Sequence, residues 1–182
     1  MGGPQQEIAQ VLGLMPVQTR ADVDALLARL RGAGARVAAT QSLLETGLSR
    51  GITPPQITLR DVPQQVLNNI PEDPEKSPLF RPFQSLPSTL SEAEKEQIRA
   101  EARTLLLQSV YPKFRNLHQF LVERYLPGAR TNLAATSLPD GPAWYAFRVR
   151  QSTTTPLSPA QIHEIGLAEV KRIRARMEEV KA

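Results

Sequence analysis

Four times along the chain a Ser or Thr stands three residues ahead of an acid or amide, the spacing at which a helix cap and its third residue satisfy each other's backbone N–H groups. The pairs are Thr19 with Asp22, Thr53 with Gln56, Ser91 with Glu94, and Ser158 with Gln161. Pro54 and Pro159 follow two of these caps, at the first helical position, where a missing N–H costs nothing. Apolar spacing carries each start onward. After Thr19, Val23, Leu26, Leu27 and Leu30 recur at three and four; RGAG (Arg31 to Gly34) then reads as a break between helices, and Val37, Leu44 and Leu48 continue to Gly51. After Thr53 a shorter piece carries Val62, Val66, Leu67 and Ile70, interrupted early by Pro63.

The longest pattern runs from Ser91 to about Leu126, with Ile98, Ala102, Leu105, Leu106, Val110, Phe114, Leu117 and Leu121 on one broad face. At roughly 1.5 Å per residue it predicts a helix about 50 Å long. Pro112 removes a hydrogen bond near its middle and predicts a kink, and Pro127-Gly128 ends it. WYAFRVR (Trp144 to Arg150) is too short to claim as a strand and reads as helix. The expected fold is all-α: a multi-helix bundle with one long central kinked helix and a Pro-rich crossing loop. That loop lies at 71–90. Pro71, Pro74, Pro78, Pro82 and Pro87 forbid a regular helix, while Leu79, Phe80 and Phe83 predict an ordered, buried segment in place of a linker. The divisions expected are an N-terminal segment 1–18, a helical region 19–90 and a region 91–182, together one continuous domain fragment.

The last helix, from Ser158, keeps a three-four pattern through His163, Gly166, Val170, Ile173, Met177 and Val180 and reaches Ala182 without a Gly, Asn or Pro stop. This predicts a chain cut inside an element; a natural frayed end is the alternative.

Composition narrows the classes of function. With 41% hydrophobic residues in 182, the chain can bury a core. Its net charge of +4 is spread singly along the chain, at Arg20, Arg29, Arg36, Arg60, Arg99 and Arg130 among others, which argues against a nucleic-acid surface. No cysteine means no disulfide and no thiolate metal site. The start has neither the basic nor the apolar region of a signal peptide, so localisation stays undefined for a chain that reads as soluble. Gly2 invites a myristoyl reading, but Gln6 stands where Ser or Thr is needed. No apolar run approaches the ~18 residues of a membrane span, so no membrane partner is expected.

Chemistry-bearing residues are sparse. His163-Glu164 opens like an H-E-x-x-H zinc helix, yet Leu167 occupies the position of the second histidine, and His118 lies far away in sequence. Hence no metal ligand and no catalytic residue is assigned. There is no G-x-S-x-G, P-loop or dinucleotide fingerprint, and carboxylate pairs such as Glu92 with Glu96 read as helix surface. One stretch stands out: Trp144-Tyr145 and Arg148, then Gln151-Ser152-Thr153-Thr154-Thr155-Pro156. Hydroxyls, aromatics and arginine gathered in a loop before a helix N-terminus suit an anionic or peptide ligand. Tyr145, Arg148, Thr153, Thr154 and Thr155 are the candidate substrate-binding residues. The plainer account is that the threonines cap and turn the chain while the aromatics pack.

The same stretch, TNLAATSLPDGPAWYAFRVRQSTTTPLSPAQIHEIGLAEVKRIRARM (Thr131 to Met177), resembles the bacterial family called domain of unknown function 885. The resemblance continues back through VYPKFRNLHQFLVERYLPGAR, PEDPEKSPLFRPF and GLSRGITPPQ, covering most of the chain from about Arg20. It implies a large, mostly helical, zinc-metallopeptidase-like protein whose metal-binding His-Glu and His-His helix lies downstream of these residues. This chain would then be the non-catalytic N-terminal part, with no cofactor of its own, zinc in the full-length protein, and the remainder of the parent chain as its partner. Trp144 in place of a second tyrosine, and Gln151-Ser152 in place of basic residues, depart from the family pattern. The alternative is a stand-alone helical interaction module that self-associates through its last helix.

Overall fold

The computed structural model describes residues 3–181, so Met1, Gly2 and Ala182, with the myristoyl and chain-end readings made on them, lie outside the described residues. Among the described residues there is no strand, and the fold is all-α. The chain divides into two compact units, Met1–Thr131 and Asn132–Ala182. The helix beginning at Glu92 packs against helices of the first half, within the first unit.

The first unit opens with α1 (Pro4–Leu14), which the capping pattern did not announce: its cap is Gly3, with no side chain to signal it. Pro4 is pre-set for the first turn, and Leu12 is driven into the core. Helix α2 (Arg20–Ser49) starts as expected; the Thr19 hydroxyl accepts from the Asp22 N–H at 3.2 Å, and the Asp22 carboxylate accepts from the Thr19 N–H at 2.8 Å. It then runs straight through RGAG, correcting the expected break. Val23, Leu26, Leu27, Leu30, Ala33 and Val37 bury a continuous face, and that packing outweighs the ~1 kcal/mol by which each glycine disfavours helix. Gly34 is there for proximity: a Cβ on it would stand 2.8 Å from the Ser109 carbonyl oxygen. Just past its end, Gly51 takes a φ of 67° that lets the Ile52 N–H return to the Gly47 carbonyl at 2.8 Å.

Thr53 and Gln56 form no capping box, a second correction. Pro55 holds Pro54 extended, so no helix can follow Thr53 directly. Instead Thr53 is buried, and its hydroxyl accepts from the Arg130 N–H at 3.0 Å. Gln56 donates through its side chain to the Leu126 carbonyl at 3.0 Å. Helix α3 (Val62–Leu67) carries Pro63 in its first turn and is not interrupted by it. The Pro-rich loop is ordered, with Leu79, Phe80 and Phe83 at most 1% exposed. A buried polar chain pins it: the Ser77 hydroxyl donates to the Asn69 carbonyl, and the Asn69 amide donates to the Gln5 and Gln65 carbonyls.

The long helix is one run of α4 (Glu92–Leu105), α5 (Tyr111–Phe120) and α6 (Leu126–Gly128), joined by π-helical turns at Leu106–Val110 and Leu121–Tyr125. Each π turn stops short of a proline. The Tyr111 N–H bonds the Leu106 carbonyl just before Pro112, and the Leu126 N–H bonds the Leu121 carbonyl just before Pro127. Widening the turn is how the helix passes a residue that cannot donate. Ser91 and Glu94 cap α4 reciprocally.

The second unit holds a short 3-10 turn (Ala135–Ser137), α7 (Gly141–Thr153) and α8 (Pro159–Lys181). Helix α7 is the expected helix of WYAFRVR. Gly141 is its one buried residue among those described, and a Cβ there would lie 2.5 Å from the Ala135 carbonyl oxygen. Ser158 and Gln161 cap α8 reciprocally, at 2.8 and 3.3 Å.

Candidate functional site

The threonine cluster sits at the α7–α8 junction. Thr154 takes φ 56°, and Thr153 is the last residue of α7. The hydroxyls are committed nearby: Thr153 donates to the Val149 carbonyl at 2.9 Å, lies 3.1 Å from the Thr155 hydroxyl, and Thr154 donates to the Thr153 carbonyl at 2.7 Å. These bonds turn the chain out of one helix and into the next. Trp144, Tyr145 and Arg148 lie on α7 as the helical reading of WYAFRVR expects, and the helix runs on through Gln151 and Ser152, which corrects the loop expected there. Tyr145 and Arg148, three apart, share a face, but Arg148 donates to the Gln151 side chain at 2.7 Å. Thus the structure brings Thr153, Thr154 and Thr155 together and leaves Tyr145 and Arg148 on the helix that precedes them.

What this unit presents outward is apolar. Trp144 is 60% exposed and meets Phe147 edge-on at 6.2 Å; Tyr145 and Phe147 are exposed beside it. A shallow hollow of about 350 Å³ lies over Asp140, Ala143, Trp144 and Phe147. On α8, Ile165, Leu167, Val170, Ile173, Met177 and Val180 are all exposed, and no described residue of that helix is buried. A pair of helices with so little buried has almost no hydrophobic stabilisation of its own. His163 is exposed on α8, and His118 is half-buried on α5. Among the described residues no three His, Asp or Glu side chains gather in a way that could hold a metal ion, and no helix is long and apolar enough to cross a membrane.

The sequence reading passed over Tyr125 and Thr40 in the first unit. Both line a recessed cavity of about 130 Å³, and neither belongs to a motif. Burial pushes the Tyr125 phenol up from its ordinary value. The Tyr111 phenol is also pushed up by burial, with the neighbouring Ser77 hydroxyl acting the other way.

Fold and surface together define a helical protein whose second unit exposes apolar side chains along α7 and α8. The chain belongs to the family described as bacterial protein of unknown function (DUF885), whose model matches residues 1–182. No curated protein matches the sequence. Among solved structures it is similar to the crystal structure of a protein provisionally named a lipoprotein, from Colwellia psychrerythraea, with a TM-score of 0.84 and 24% identity. That likeness, which concerns the fold alone, covers 98% of this chain and 31% of the other.

Proposed function

We propose that this chain serves as the N-terminal, non-catalytic helical part of a longer metal-dependent peptidase or related hydrolase, where it helps wall the substrate cleft. The observation that carries the reading is the exposed apolar surface of the second unit, from Trp144 and Phe147 on α7 to Val170, Ile173 and Met177 on α8. An apolar surface of that extent is favourable only when covered, and the natural cover is further chain of the same protein. The greater length of the similar solved chain supports this, since the matched region is 31% of it. The zinc-peptidase chemistry comes from the family resemblance, with the metal ligands outside these residues; Tyr145, Arg148 and the threonines would border the cleft and contact a peptide there.

The test is hydrolysis of a fluorogenic peptide library. A longer natural protein containing this region should cleave peptides and lose that activity to a chelator, with zinc restoring it, while the 182-residue chain should show none. Chelator-insensitive cleavage by the longer protein, or cleavage by this chain, contradicts the proposal.

A further inference from the structure

The recessed cavity of the first unit is built from distant parts of the chain. Thr40 and Leu44 of α2, Val62 of α3, Leu117 of α5, and Leu121 and Tyr125 of the second π turn all line it. Its volume is about 130 Å³. Apolar cavities of ~150 Å³ hold a benzene-sized molecule, so the space suits a single ring or a branched alkyl group. None of the lining residues carries a charge. An ion there would be desolvated without a partner, which excludes charged ligands.

Three polar residues, Gln5, Thr40 and Tyr125, interrupt the apolar lining. Tyr125 is only 2% exposed, yet its hydroxyl makes no hydrogen bond to any described residue. Tyr111 offers a comparison: its hydroxyl is fully sealed and also unpartnered, but it lines no cavity, whereas the Tyr125 hydroxyl is not among the sealed atoms. A phenol in so little exposed a residue usually has a hydrogen-bond partner, and this one keeps its donor available. Thr40 adds acceptor capacity, since its hydroxyl donates to the Arg36 carbonyl at 3.0 Å and keeps its lone pairs. Desolvation alone accounts for the direction in which the Tyr125 phenol is shifted, as expected for a group with neither charge nor hydrogen bond beside it.

We infer that this cavity is a binding site for a small neutral molecule or side chain with a compact apolar body and one hydroxyl or carbonyl, which Tyr125 recognises by a hydrogen bond. The π turn matters to this arrangement, because it holds Tyr125 and Leu121 at positions a regular helix before Pro127 would shift. The site is independent of the hydrolase reading, since it lies wholly within the first unit.

Phenol and toluene, nearly equal in size, separate the apolar from the polar contribution. Titrated into the full chain and followed by methyl NMR, phenol should shift Leu44, Val62, Leu117 and Leu121 resonances saturably, and should bind about fivefold more tightly than toluene for one net hydrogen bond. Tyr125→Phe should keep the fold and abolish the preference for phenol, toluene then binding at least as tightly, because the phenol hydroxyl is desolvated without its partner. Cyclohexylammonium should not bind. The inference is overturned if phenol gives no saturable shift up to its solubility limit, or if Tyr125→Phe retains the preference for phenol.

Discussion

Replacing Gly34 and Gly32 by alanine, one at a time, separates helix propensity from helix packing within a single element. Both glycines are interior to α2, so each substitution removes the same backbone penalty of roughly 1 kcal/mol. Their surroundings differ. A Cβ on Gly32 meets nothing within 4 Å, while one on Gly34 would approach the Ser109 carbonyl oxygen to 2.8 Å, with the Ser109 side-chain oxygen at 3.3 Å. Ser109 belongs to the π turn before Pro112, so the obstructing atom is backbone and cannot rotate away. Forcing extra volume into such a contact costs about 1–3 kcal/mol. Gly32→Ala should therefore stabilise by about 0.5–1 kcal/mol, and Gly34→Ala should be neutral or destabilising by up to about 2 kcal/mol. Urea unfolding followed by far-ultraviolet circular dichroism measures both, with unchanged slope as the check that only stability has moved. If Gly34→Ala stabilises as much as Gly32→Ala, the close approach of α2 to the π turn is wrong.

Truncating the Pro-rich loop should be as damaging as truncating a helix core: Phe83→Ala, at a fully buried ring, should cost about 3–5 kcal/mol in the same unfolding experiment. The capping carboxylates make stability acid-sensitive. Hydrogen bonds from Thr19 lower Asp22, and hydrogen bonds from Ser91 lower Glu94, below their ordinary values of 3.8 and 4.5. A depressed carboxylate contributes stability above its unfolded value and loses it as pH falls through the folded one. Melting temperature should thus drop below about pH 4.5, and Glu94→Gln, which can still accept from the Ser91 N–H, should flatten part of that drop. The α8 stripe should drive self-association of the isolated chain, at roughly 25 cal/mol per Å² covered; sedimentation velocity should show Val170→Glu with Ile173→Glu shifting the population to monomer while helix content stays constant.

The helix starts at Thr19, Ser91 and Ser158 were legible because a capping box is local: its donors and acceptors lie within four residues. Thr53 with Gln56 carried the same letters and failed, since Pro54-Pro55 holds the backbone extended and both residues bond Arg130 and Leu126, about seventy positions away. RGAG misled for a related reason. Two glycines weaken a helix considered alone, but here a buried face keeps α2 continuous and Gly34 is a contact point. The ordered loop could be read because Leu79, Phe80 and Phe83 need burial whatever the backbone does. Helix α1 was missed because a glycine cap leaves no side-chain signal. Of the candidate site, the helix carrying Tyr145 and Arg148 was visible in the WYAFRVR run and the turn made by the threonines in their residue types, whereas the extension of α7 through Gln151, Ser152 and Thr153 was not. The cavity at Tyr125 had no signature, as its lining runs from Gly3 to Tyr125 and is assembled only by the tertiary fold.

Under the proposed function, the exposed apolar residues of α7 and α8 are covered by further chain in the working protein. Amide hydrogen exchange, compared between the 182-residue chain and a longer natural protein containing it, measures this directly. In the short chain under monomeric conditions, amides of Gly141–Thr153 and Pro159–Lys181 should exchange far faster than those of α2 and α5; in the longer protein they should be slowed by orders of magnitude, with α2 and α5 unchanged. Equal exchange of α8 in the two proteins would contradict the account.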